Sequence, residues 1–236
     1  MSETPTRPTA DAPLGEVESR VSAALAPVKP KLRGWLHAGM APVAVVCGIV
    51  LVALSPPQYR WAAAIYSLTA ILLFGVSATY HRFTWSPTTT VMLKRLDHSN
   101  IFLIIAGSYT PFAVALLPAD QAKTLLLLVW SGAIAGVLFR VFWVGAPRWL
   151  YTPIYIALGW VAVFYLPAFW NAGGPAVVIL LATGGLCYSA GGVVYALKRP
   201  NPSPTWFGFH EVFHALTLAG FITQYIAVSL VLYSAR

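Results

Sequence analysis

The sequence predicts an all-α fold, a bundle of seven transmembrane helices with the N-terminus in the cytoplasm and the C-terminus outside. Three observations carry this reading. Of the 236 residues, 58% are hydrophobic and only 9% are charged, against about 25% charged in an average soluble domain, and the mean hydropathy is +0.71. The apolar residues gather into seven runs, most of them near the ~20 residues a helix needs to cross the hydrocarbon core. Basic residues concentrate in alternate connections, as they do on the cytoplasmic side of a membrane. The connections are too short to hold a soluble domain, so any chemistry is expected inside the bundle.

Residues 1–33 read as a flexible cytoplasmic N-terminal tail and residues 34–236 as the seven-helix transmembrane domain. The tail is polar, is broken by Pro5, Pro8, Pro13, Pro27 and Pro30, and carries Glu3, Asp11, Glu16 and Glu18. Such a composition buries too little apolar surface to order itself. It contains no apolar run that would serve as a signal peptide, and Ser2 stands where myristoylation needs glycine. The seven runs are residues 35–54, 61–80, 96–117, 124–139, 149–170, 175–197 and 209–234. Turn chemistry separates them: Ser55-Pro56-Pro57, Ser86-Pro87, Pro118-Ala119-Asp120, Gly145-Ala146-Pro147, Asn171-Ala172-Gly173-Gly174 and the proline-rich stretch from Pro200 to Pro204. Pro111, Pro153 and Pro167 fall inside runs, which membrane helices tolerate when neighbours satisfy the freed backbone groups. Gly132, Gly136, Gly184, Gly185, Gly191 and Gly192 are expected to let helices approach closely. Cys47 and Cys187 lie within apolar runs and read as packing residues.

With the N-terminus inside, the inner segments hold Arg20, Lys29, Lys31, Arg33, Arg82, Lys94, Arg95, Arg140, Arg148, Lys198 and Arg199, while the outer ones hold Arg60, Lys123 and Arg236. This asymmetry accounts for the pI of about 9.7, and no nucleic-acid partner is expected. Trp35, Trp85, Trp143, Trp149 and Trp206 fall at the inner boundary and Trp61 and Trp170 at the outer, as an aromatic belt requires. Arg82, Lys94, Arg95, Lys198 and Arg199 serve as topology signals or as contacts to lipid headgroups.

On this frame all five histidines, His37, His81, His98, His210 and His214, lie toward the cytoplasmic leaflet, and so do two of the three acids that follow the tail, Asp97 and Glu211. Ionisable groups at membrane depth are costly and usually face the bundle interior, paired with something. His210 and His214 are one turn apart, about 6 Å along the axis and roughly 40° around it, which suits two ligands on one zinc ion. His81 supplies a third nitrogen, leaving a fourth tetrahedral position for water, the pattern of a catalytic site. Zinc brings the pKa of such water to about 7, and Asp97, opening the neighbouring helix, is placed to orient it and take its proton. Ser77 lies one turn before His81, either beside the metal or as a packing serine. His98 and His37 read as interfacial or capping residues.

His210-Glu211-Val212-Phe213-His214 also matches the H-E-x-x-H pattern, in which the glutamate is the general base of a metalloprotease. No His, Asp, Glu or Cys follows His214, so a third ligand must come from upstream. Both readings keep zinc and differ over whether Asp97 or Glu211 handles the proton.

Three blocks, Ser77-Ala-Thr-Tyr-His81, Leu96-Asp97-His98-Ser99-Asn100 and His210-x-x-x-His214, resemble the signature motifs of the hemolysin III proteins, the bacterial branch of the progestin and adiponectin receptor (PAQR) family. The resemblance runs from Gly34 to the C-terminus. It implies zinc ligands at His81, His210 and His214, with Asp97 and Ser77 near the metal-bound water. It also implies kinship with alkaline ceramidases, which hydrolyse a lipid amide. The expected protein is therefore a multi-pass protein of the cell (plasma) membrane with its metal site near the cytoplasmic face. Its expected activity is zinc-dependent hydrolysis of an amide or ester bond of a membrane lipid. The alternative is a receptor-like or regulatory membrane protein with a structural zinc, and a pore or transporter ranks behind both, since polar residues do not recur through the middle of several helices.

Overall fold

The computed structural model describes residues 30–235, and these are helical throughout apart from turns and one isolated bridge between Ser203 and Phe207. The helices are α1 (Trp35–Leu54), α2 (Arg60–Arg82), α3 (Pro87–Leu116), α4 (Ala119–Phe142), α5 (Arg148–Gly159), α6 (Leu166–Leu197) and α7 (Phe209–Ser234). Six segments of the described chain are long and apolar enough to cross a membrane, and one of them, Arg148–Leu197, is 50 residues long.

Local chemistry sets most boundaries. At the end of α1 the chain turns out at Ser55, whose N–H and hydroxyl both bond the Leu51 carbonyl before two prolines forbid continuation. Helix α3 begins nine residues ahead of its apolar run. Ser86 caps it by accepting from the Thr89 N–H at 3.2 Å, with Pro87 at the first helical position, an arrangement that starts a helix regardless of hydropathy. Helix α4 likewise extends past its apolar run at both ends, with Asp120 in the first turn and Arg140 in the last, the signs that the helix dipole favours.

The largest departure from the sequence reading lies between α5 and α6. The expected loop at 171–174 is helical except at Gly174, whose φ of 78° and ψ of 175° break the helix just before Pro175. Helix α5 ends earlier, at Gly159, and passes through a 3-10 stretch, Trp160–Tyr165. The Tyr109 hydroxyl of α3 donates to the Gly159 carbonyl at 2.6 Å and accepts from the Ala162 N–H at 2.7 Å. A side chain on another helix thus satisfies backbone groups that the change of pitch leaves without helical partners.

Consecutive helices α1 to α4 pack side by side, α6 packs along α7, and α7 returns against α1 and α3. The core between them includes Tyr66, Phe74, Phe102, Phe112, Phe169 and Phe221. A Cβ on Gly136 would fall 2.3 Å from the Phe102 ring, and one on Gly184 would fall 2.8 Å from the Thr223 hydroxyl. Those two glycines serve close packing, whereas Gly185 meets only Trp160, at 4.0 Å. Cys47 and Cys187 are free thiols.

Residues 1–29 of the expected tail lie outside the described residues. Its last four are ordered against the connection before α7. The N–H groups of Lys31 and Leu32 donate to the carbonyls of Thr205 and Trp206 at 3.0 and 3.2 Å, and the Lys31 ammonium lies 4.3 Å from the Trp206 ring centre.

Candidate metal and catalytic site

The last turn of α2 and the first two turns of α7 meet at one end of the bundle, and three imidazoles converge there. His81, His210 and His214 are all buried, and each offers a ring nitrogen within 4.8 Å of the others'. His81 Nε2 and His210 Nε2 are 3.2 Å apart. Two nitrogens at about 2.0–2.1 Å from a tetrahedral zinc stand about 3.3 Å from each other, so the pair has the separation that a shared metal requires. The donor set of three imidazoles, drawn together without a carboxylate among them, fits a divalent transition metal.

Backbone constraints hold these three side chains. Gly34, just before α1, has a φ of 80°, and a Cβ there would fall 2.7 Å from the His81 Cβ. Only glycine meets both demands, so the start of α1 presses directly on the His81 backbone. On α7, Glu211 accepts the Gly208 N–H at 2.8 Å, closing the first turn as an N3 carboxylate does. Its other oxygen takes the Arg33 guanidinium, and Glu211 itself is 1% exposed. Both carboxylate oxygens are thus engaged in fixing α7 to the segment ahead of α1.

Asp97, on α3, stands beside the cluster, with Oδ2 3.8 Å from His81 Nε2 and 4.0 Å from His98 Nδ1. Ser77 is buried one turn before His81 on α2. Ser77, Asp97, His210 and His214 share the wall of one cavity.

The two remaining histidines are neither interfacial nor capping. His37 is buried and stacks on His214, with ring centroids 3.8 Å apart and planes 6° from parallel. His98 is buried in a polar chain. Its Nδ1 lies 2.7 Å from the Lys94 carbonyl and its Nε2 lies 3.1 Å from the Tyr195 hydroxyl, which is itself 3.1 Å from that of Tyr151. A carbonyl only accepts, so Nδ1 carries the proton and, in the neutral ring, Nε2 accepts from Tyr195. The gathering of all five histidines toward one leaflet hinted at His37, but neither tyrosine carried any signal in the sequence.

The cavity has a volume of about 180 Å³, more than ten times what one water needs. Beyond its polar end it follows α3 from Asp97 past Ile101, Ile105 and Tyr109 to Phe112, about 22 Å at 1.5 Å per residue. Ile156, Leu166 and Leu181 continue the apolar wall. Half of a ~30 Å hydrocarbon core is about 15 Å, so the cavity is longer than one leaflet is deep.

The family described as Haemolysin-III related matches residues 25–225. The chain is 32% identical over 165 residues to the hemolysin-3 homolog of Bacillus subtilis (strain 168), covering 70% of this chain and 74% of that one. It is 27% identical over 207 residues to hemolysin-3 of Bacillus cereus, covering 85% and 91%. With the heptahelical transmembrane protein ADIPOR2 of Oryza sativa subsp. japonica it shares 29% identity over 190 residues, covering 73% and 82%.

Proposed function

Because the chain belongs to the haemolysin III family of membrane proteins, we propose that it is a zinc-dependent hydrolase that cleaves an amide or ester bond of a membrane lipid. The observation that carries this reading is the cavity: a long apolar channel that ends on His210, His214, Asp97 and Ser77. A lipid chain is the ligand whose shape and polarity fit such a channel, with its linkage at the polar end.

His81, His210 and His214 would hold the metal. Zinc, when bound, supplies a Lewis acid and a water acidic enough to react at neutral pH. The protein's own residues do the rest. Asp97 takes the proton from the attacking water and returns it to the leaving group. Ser77 orients the Asp97 carboxylate, and His37 backs the ring of His214. Glu211 is the weaker base candidate, because Arg33 and the Gly208 N–H already occupy its oxygens. We place seven crossings in the chain by dividing Arg148–Leu197 at Gly174. Its 50 residues would run about 75 Å as one helix, more than two core thicknesses. We place the N-terminus and the metal site at the cytoplasmic face of the plasma membrane, with the C-terminus outside, an orientation that the positive-inside asymmetry supports.

The test uses the full chain purified in mild detergent. We expect close to one zinc per chain, lost in His214→Ala, and an amide- or ester-linked lipid that the wild type consumes while Asp97→Asn, still holding zinc, leaves it intact. Absence of zinc, or lipid profiles indifferent to Asp97→Asn, would overturn the reading. A receptor-like or regulatory protein with a structural zinc is the second reading. It is favoured by the 129 residues that separate His81 from His210, since a metal there would tie the two ends of the bundle together. It requires that chelation lower thermal stability while no turnover is measured with any lipid.

A further inference from the structure

A second concave site lies beside the first and is lined by cations. Lys94 on α3, Arg140 at the end of α4, Arg148 at the start of α5 and Lys198 after α6 surround a cavity of about 410 Å³ that contains no carboxylate in its wall. Among the described residues, the ion pairs involve Arg33, Glu211, Asp97 and two histidines, and none of these four cations. A topology signal stands in water at the membrane surface. Arg140 does not: it is 1% exposed.

The groups in contact with Arg140 are neutral. Its guanidinium donates to the Trp143 and Val144 carbonyls at 3.3 Å each and lies 4.4 Å over the Tyr151 ring, and its buried Nε has no partner. Arg148 spends one N–H on the Tyr195 carbonyl at 3.1 Å and stacks over the Tyr195 ring at 4.3 Å, leaving the rest of its five donors. Helix α5 opens into the same space behind Pro147, with no side chain capping its N-terminus, so its positive dipole end adds to the field. Burying a guanidinium without a counter-charge is strongly unfavourable, and mutual repulsion of four cations adds to that. An anion in the cavity removes both penalties.

We propose that this cavity is a phosphate-binding site. Four cations around one volume call for a ligand that carries more than one acceptor oxygen and more than unit charge, and forked guanidinium donors match phosphate oxygens. Trp143 is exposed and Trp149 lines the mouth, as residues at headgroup depth do. Phosphate reaches that depth either as a phospholipid headgroup or from solution. The site shares Tyr195 with the apolar cavity described above, and through that hydroxyl it touches His98 beside Asp97.

The experiment measures the thermal unfolding of the full chain at constant ionic strength with two probes. One is inorganic phosphate added in detergent. The other is phosphatidic acid in nanodiscs, compared with nanodiscs of phosphatidylcholine alone. A rise in Tm of several degrees with phosphatidic acid is expected. A matching rise with inorganic phosphate assigns the site to either source, and its absence assigns it to the headgroup. In Lys94→Gln/Lys198→Gln, altered only at positions that are not buried, the probe concentration for half the shift should rise at least tenfold, and Arg148→Gln should act likewise. No shift with either probe, or a shift of unchanged midpoint in both variants, overturns the proposal.

Discussion

His37 and His214 form a parallel stack, 3.8 Å between ring centroids and 6° between planes, and Phe74 meets His37 edge-on at 5.1 Å. The first helix therefore braces a ring on the last one. Neither nitrogen of His37 has a hydrogen-bond partner among the described residues. The contact acts through packing. His37→Ala should leave His214 free to turn and weaken zinc binding by about tenfold, the low end for groups that orient a ligand from behind. His37→Phe, which keeps the stack and removes two unpaired buried nitrogens, should hold zinc as the wild type does and unfold no earlier. Zinc content after graded chelator dialysis, with a melting curve for each variant, checks both.

The Arg33–Glu211 pair sets the two readings of the H-E-x-x-H segment against each other. With both oxygens of Glu211 engaged, Glu211→Gln should keep the Gly208 contact, retain zinc and lower turnover by less than tenfold. A general base lost at that position would cost about 10²–10⁴-fold. Arg33→Ala, which strands a carboxylate that is 1% exposed, should destabilise the fold by about 3 kcal/mol. This is the low end of the range, because the Arg33 side chain keeps 19% exposure. Turnover of a cleaved lipid and denaturation midpoints decide.

Gly34 combines a φ of 80° with a Cβ position 2.7 Å from His81. The left-handed backbone alone costs a non-glycine residue about 1–2 kcal/mol, and the contact can be relieved only by moving His81. Gly34→Ala should lose both stability and zinc, whereas Gly39→Ala, where a Cβ meets nothing within 4 Å, should lose neither. The two melting curves and zinc contents form one comparison.

Ser77 should matter to rate and not to metal. It shares the cavity wall with Asp97, and a hydroxyl that hydrogen-bonds a charged group contributes about 1.5–3 kcal/mol. Ser77→Ala should therefore lower kcat by ten- to a hundredfold at unchanged zinc content. Zinc loss in step with activity would show that Ser77 serves the metal instead.

The cavity makes chain length a variable. Ile105 lines it midway along α3, about 12 Å from Asp97 along the helix axis. Ile105→Phe should shift cleavage toward lipids with shorter acyl chains while zinc content stays the same. An unchanged chain-length profile would place the scissile lipid outside this channel.

Much of this protein was legible in its sequence, because the free energy of moving a side chain into hydrocarbon is additive and local. Composition marked a membrane chain, proline and glycine clusters marked most of the breaks, and the spacing of His210 and His214 put two imidazoles on one face of one helix. Hydropathy did not register that α3 starts at Pro87, nor that the chain stays helical through Asn171. Those limits are set by caps and hydrogen bonds, and apolarity carries no record of them. The sequence already grouped His81 with His210 and His214, and tertiary structure decided what the other two histidines meet. His81 reaches His210 across 129 residues, His37 stacks on His214 where an interfacial or capping residue was expected, and His98 meets the Tyr195 hydroxyl. A helix fixes the direction of each side chain around its own axis, but the partner it finds there depends on how the helices are rotated against one another, and that is settled by the packing of the whole core.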